Sequence, residues 1–60
     1  MWVLVKRDTG EYFSEPRGKE VILTREILCA RKYPTEAKAK EQIRVGPLFG
    51  YDAKEVENND

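Results

Sequence analysis

The segment that most restricts the fold is Pro34-Thr35-Glu36-Ala37-Lys38-Ala39-Lys40-Glu41-Gln42-Ile43-Arg44-Val45-Gly46-Pro47. It is the only stretch with a firm helical signal. Pro34 donates no backbone hydrogen bond and biases Tyr33 towards an extended conformation. Thr35 is a good N-cap, and Glu36 places a negative charge where the helix dipole favours it. The alanines, lysines and glutamates that follow are strong helix formers. Gly46-Pro47 supplies the stop, with Gly46 read as a left-handed cap. Ala39 and Ile43 lie four apart and share one face. That apolar stripe is thin, so the helix needs a sheet to lie on.

The rest of the chain supplies one. Trp2 to Arg7 is rich in β-branched and aromatic residues and reads as a strand. Asp8-Thr9-Gly10 reads as a type I turn with a G1 bulge, flanked by Arg7 and Glu11. Glu11 to Ser14 returns as a second strand. This register sets Val5 opposite Phe13 and Lys6 opposite Tyr12. Val3, Val5 and Phe13 then form the face for the helix, and Trp2, Leu4 and Tyr12 the opposite face. Glu15 to Lys19 reads as a polar loop, and Glu20 to Leu23 as a third strand. Thr24 to Ala30 suits either a helical turn, with Ile27, Leu28 and Ala30 inward, or a continued strand; its composition favours the turn. Pro47 to Gly50 reads as an apolar loop that packs down. Tyr51 to Glu57 reads as a last strand with Val56 inward. The expected fold is α+β: a three- or four-stranded antiparallel sheet with one packed helix, in the order β-β-β-α-β. Residues 1–57 form one domain, and 58–60 a frayed tail.

Composition removes several classes of function. Sixty residues leave room for one domain and no deep cleft. There is no histidine, so no serine, threonine or cysteine has an imidazole base. Cys29 is the only cysteine, so no intrachain disulfide forms, which suits a reducing cytoplasm. Its bland reading is a small buried side chain. Asp52, Glu55 and Glu57 match no calcium loop. No enzyme activity, metal or cofactor is expected. The apolar start is interrupted at Lys6-Arg7, which reads as no signal peptide, and no segment reaches the length of a membrane span. Eleven basic residues balance eleven acidic ones, but unevenly. Residues 25–44 hold six basic against three acidic, and residues 52–60 four acidic against one basic.

The pattern Trp2-Val3-Leu4-Val5, Gly10-Glu11-Tyr12-Phe13, Leu23-Thr24, Ala30-Arg31-Lys32-Tyr33-Pro34-Thr35, then Ala39 and Ile43, resembles a loose class of small phage and prophage proteins. Leu23 replaces the class's usual Trp, Tyr33 its Phe, and Lys38 an expected acid. The resemblance implies a source and a fold rather than an activity. It points to a non-enzymatic protein of the bacterial host cytoplasm that binds and modulates or inhibits a host protein, such as a defence or transcription component. The expected contact residues are Trp2, Leu4 and Tyr12, spreading onto Arg31 and Lys32. Two other readings stay open. One is a nucleic-acid accessory factor using a basic strip of Lys38, Lys40 and Arg44. The other is a self-associating structural protein, a monomer or weak homodimer pairing through a sheet edge.

Overall fold

The computed structural model describes residues 1–46 and 48–57. Four strands, β1 (Trp2–Lys6), β2 (Tyr12–Arg17), β3 (Glu20–Thr24) and β4 (Tyr51–Glu55), form one antiparallel sheet in the order β3-β2-β1-β4. One helix, α1 (Glu36–Val45), packs on β1 and β4. The element order is the expected one, with a 3-10 turn at Ile27–Cys29 between β3 and α1. Thr24 ends β3 and does not cap that turn, whose N-cap is Glu26; its Oγ1 accepts from the amide of Glu26 at 3.0 Å.

The helix begins and ends for the reasons its sequence gives, with one change. Thr35 is the N-cap, and its hydroxyl accepts from the Lys38 amide at 3.2 Å. Gly46 is the C-cap, but at φ −89 it is not left-handed. Glycine keeps the space beside Gln42 open there. A Cβ would come within 2.9 Å of Gln42 Nε2 and 3.1 Å of the Gln42 carbonyl oxygen. The stop assigned to Pro47 and the fraying of residues 58–60 lie outside the described residues.

The first hairpin departs from expectation by one residue, and the departure turns β1 over relative to β2. The Lys6 amide donates to the Glu11 carbonyl, and the Gly10 amide to the Lys6 carbonyl, both at 2.8 Å. The loop is therefore residues 7–10, closed by Gly10 at φ 76, and Val5 rather than Lys6 stands opposite Tyr12. A one-residue slip turns every side chain to the other side of a strand. Leu4 consequently joins Phe13, which faces the helix as expected, and the two form the core with Tyr33, Ala39 and Leu48. Trp2, Val21, Ile43, Tyr51 and Ala53 pack around them. Ala39 and Ile43 are the helix's contact residues as the stripe implies, but they meet Leu4 in place of Val3 and Val5. The expected outward face of Trp2, Leu4 and Tyr12 is thus corrected for β1: Leu4 is 0% exposed and Trp2 flanks the core, while Tyr12 keeps the face away from the helix with Val5, and Val3 is nonetheless 0% exposed.

β2 is longer than its sequence suggests. It runs through Pro16 to Arg17, and only Gly18-Lys19 turns the chain into β3. Pro16 is tolerated because β1 has left β2 by that point, making it an edge on that side. β1 and β2 pair at Val5 and Tyr12 and then diverge. The chain crosses β2 after the 3-10 turn and enters the opening. There Trp2 and Tyr33 exchange both backbone hydrogen bonds at 2.8 Å, and the Arg31 amide donates to the Phe13 carbonyl at 3.0 Å. A bulge in β2 between Phe13 and Glu15 leaves Ser14 as the extra residue, and its hydroxyl donates to the Cys29 carbonyl at 3.1 Å.

Other expectations for these loops fare unevenly. Ala30 and Leu48 are buried, whereas Leu28 is 83% exposed and Phe49 88%. Cys29 is exposed rather than buried. In each case a connection this short places one apolar side chain inward and turns its neighbour out.

Two outcomes follow from this architecture. Leu4→Ala should lower stability in urea unfolding by about 2–5 kcal/mol, and Val5→Ala, half-buried on the other face, by clearly less. The reverse order would restore the Val3, Val5 and Phe13 core. The second concerns the exposed Arg7–Asp52 fork, in which Nε and Nη2 each meet a carboxylate oxygen at 2.9 Å. The hydrogen bond from Arg7 holds the Asp52 carboxyl below its ordinary 3.8. A depressed carboxylate pKa gives stability that is present above the unfolded value and lost as pH falls through the folded one. The difference between wild type and Asp52→Asn should therefore be present at neutral pH and shrink only below about pH 4, read from unfolding midpoints across an acid titration.

Candidate functional site, a cationic cleft beside the helix

The fork in the sheet also builds a recess on the surface. Tyr33 is held by Trp2, Pro34 turns the chain, and Thr35 caps α1. The 31–34 segment and one flank of the helix thus become two walls. Lys38, Glu41, Gln42 and Val45 recur at three- and four-residue spacing and line the helical wall. Arg31, Lys32, Tyr33 and Pro34 line the other. The cleft encloses about 440 Å³ and opens to solvent.

Its charge is one-sided: three cations, Arg31, Lys32 and Lys38, stand with one carboxylate, Glu41. Lys32 is partly committed, because its ammonium donates to the carbonyl oxygens of Ile27 and Ala30, the latter at 2.9 Å. That bond ties the 3-10 turn to the cleft wall. Arg31 and Lys38 are exposed, and among the described residues neither has a carboxylate within ion-pair distance. Tyr33, Pro34 and Val45 add apolar surface, and Val45 is 64% exposed. A recess of this kind suits an anionic group attached to something apolar.

The expected site residues divide. Arg31, Lys32 and Lys38, drawn from two different expected surfaces, come together in the cleft. Trp2, Leu4 and Tyr12 do not join them as a patch, for the register reason above. Lys40 lies beyond the Ala39 and Ile43 stripe, roughly 160° around the helix from Lys38, and Arg44 lies past Glu41 on the solvent side, roughly 120° away. Lys40 is also paired to Glu36 at 3.4 Å. The expected strip of Lys38, Lys40 and Arg44 is therefore broken into two flanks. Glu41, Gln42 and Val45 were legible only as the continuation of Lys38 at helical spacing. Among the described residues, no three metal-binding side chains gather where they could hold a metal ion.

The Tyr33 hydroxyl is buried without a hydrogen-bond partner in the structure, and burial pushes its phenol above the ordinary range. Leaving such a group unpaired costs about 1–3 kcal/mol. Tyr33→Phe should therefore hold or raise thermal stability, by up to about 1 kcal/mol, in a thermal melt. A loss of more than that would show that the hydroxyl is satisfied.

No family model, no curated protein and no solved structure matches this chain.

Proposed function

We propose that this protein acts by binding rather than by chemistry, and that the cleft between residues 31–34 and α1 receives an acidic segment of a partner protein. The observation that carries the reading is the pair Arg31 and Lys38, exposed cations without carboxylate partners on the two walls of one partly apolar recess. Such charges are cheap to leave in water and gain when a carboxylate docks. Lys32, anchored to backbone carbonyls, keeps the wall in place.

The resemblance to small phage and prophage proteins supports a bacterial host protein as the partner, with inhibition or modulation as the result. A lone free thiol suits the reducing cytoplasm of such a cell. No helix is long and apolar enough to cross a membrane. Phosphate binding is the less favoured reading, because Lys40 is already paired and faces away from Lys38 with Arg44.

The test is fluorescence anisotropy with labelled, end-blocked peptides carrying carboxylates around one apolar residue, beside a single-stranded oligonucleotide. Arg31→Glu with Lys38→Glu should weaken peptide binding by about tenfold or more, while Lys40→Glu leaves it unchanged. Tight oligonucleotide binding that Lys40→Glu or Arg44→Glu removes, with steep salt dependence, would replace this reading by the nucleic-acid one.

A further inference from the structure

The two edges of the sheet are built differently. β4 carries Asp52, Lys54 and Glu55 exposed along its outer side, a charged edge of the kind that discourages strand addition. β3 carries Val21-Ile22-Leu23, three consecutive apolar residues, each half-buried. Among the described residues β2 is its only strand neighbour, and neither a proline nor a bulge interrupts it, since the bulge of this hairpin falls on β2. Its outward backbone groups are a row of ready donors and acceptors. Lys19 and Arg25 bracket the strand, both exposed and both without a carboxylate in ion-pair range among the described residues.

We propose that the free edge of β3 accepts, as an added antiparallel strand, an extended segment of another protein with an apolar centre and a carboxylate at each end. A second copy of this chain is a poor occupant. A two-fold pairing centred on Ile22 sets Lys19 of each copy against Arg25 of the other, at both ends. Moving the centre to Leu23 sets Glu20 against Glu26 instead. Like charges placed opposite each other on paired strands are unfavourable. A foreign strand with acids opposite Lys19 and Arg25, a lysine opposite Glu20 and β-branched residues opposite Val21, Ile22 and Leu23 meets every charge with its opposite. Main-chain hydrogen bonds then supply affinity and the flanking charges supply choice. This surface is separate from the cleft and does not depend on it.

The probe is the end-blocked heptapeptide Asp-Thr-Val-Ile-Val-Lys-Asp, compared with Lys-Thr-Val-Ile-Val-Asp-Lys. Binding is followed by anisotropy and by amide hydrogen exchange resolved by nuclear magnetic resonance. The first peptide should bind and slow exchange selectively in β3. Lys19→Glu with Arg25→Glu, both at exposed positions, should weaken it by about tenfold and favour the second peptide. Arg31→Glu with Lys38→Glu should leave it unchanged, which separates this surface from the cleft. Equal binding of both peptides, no protection of β3 amides, or β3-mediated dimers in ultracentrifugation would overturn the proposal.

Discussion

The exchange of two backbone hydrogen bonds between Trp2 and Tyr33 is the interaction on which the rest of this small domain depends. β1 and β2 separate after Val5 and Tyr12, and an open fork would leave backbone groups of both strands unpaired. The 31–33 segment fills it, bonded to β1 at Trp2 and to β2 at Phe13. Filling the fork does three things at once. It satisfies the separated strands, carries Tyr33 into the core, and delivers the chain to Pro34 and Thr35 at the position from which α1 can cross β1 and β4. The cleft is the by-product, since its two walls are the filler segment and the helix that leaves it.

Size makes this arrangement necessary. A chain of this length hides a smaller share of its surface than a larger domain does, so each buried side chain counts for more. Leu4, Phe13 and Ala39 are almost wholly removed from water, and Tyr33 and Leu48 close the cluster from the two loops that flank the helix. Two of the five residues of the central cluster, Tyr33 and Leu48, thus come from connections rather than from strands or helix. The helix contributes little more than Ala39 and part of Ile43, and the small alanine lets the helix backbone approach the sheet closely. The unpaired Tyr33 hydroxyl fits the same picture: the ring is needed where the fork closes, and its oxygen goes in with it.

Charge is distributed so that stability and binding draw on different residues. The ion pairs Arg7–Asp52, Arg17–Glu15 and Lys40–Glu36 are all exposed and add little to stability. Arg31, Lys38, Lys19 and Arg25 have no such partners among the described residues. They flank the two surfaces with apolar character, the cleft and the β3 edge. A balanced total charge therefore hides local excesses, and it is the local excess that a partner meets.

The sequence by itself determined several features that rest on neighbouring residues. Thr35 caps α1, Gly46 ends it, Ala39 and Ile43 face the sheet, and the order of three strands, a helix and a fourth strand follows from local pattern. It also suggested that Arg31, Lys32 and Lys38 belong to a basic binding surface, without showing that Lys40 and Arg44 stand apart from it. Only the tertiary structure decided which side of β1 is the inside. Both Trp2-Leu4 and Val3-Val5 are apolar sets, so alternation could not rank them, and the choice fell to a single residue of loop length between Lys6 and Glu11. Nor was the fork legible: Ala30 to Tyr33 has no strand signal of its own, and it becomes part of the sheet because β1 and β2 diverge around it. Strand register and backbone pairing between distant segments are decided by the whole set of competing partners, which local residue preferences do not contain.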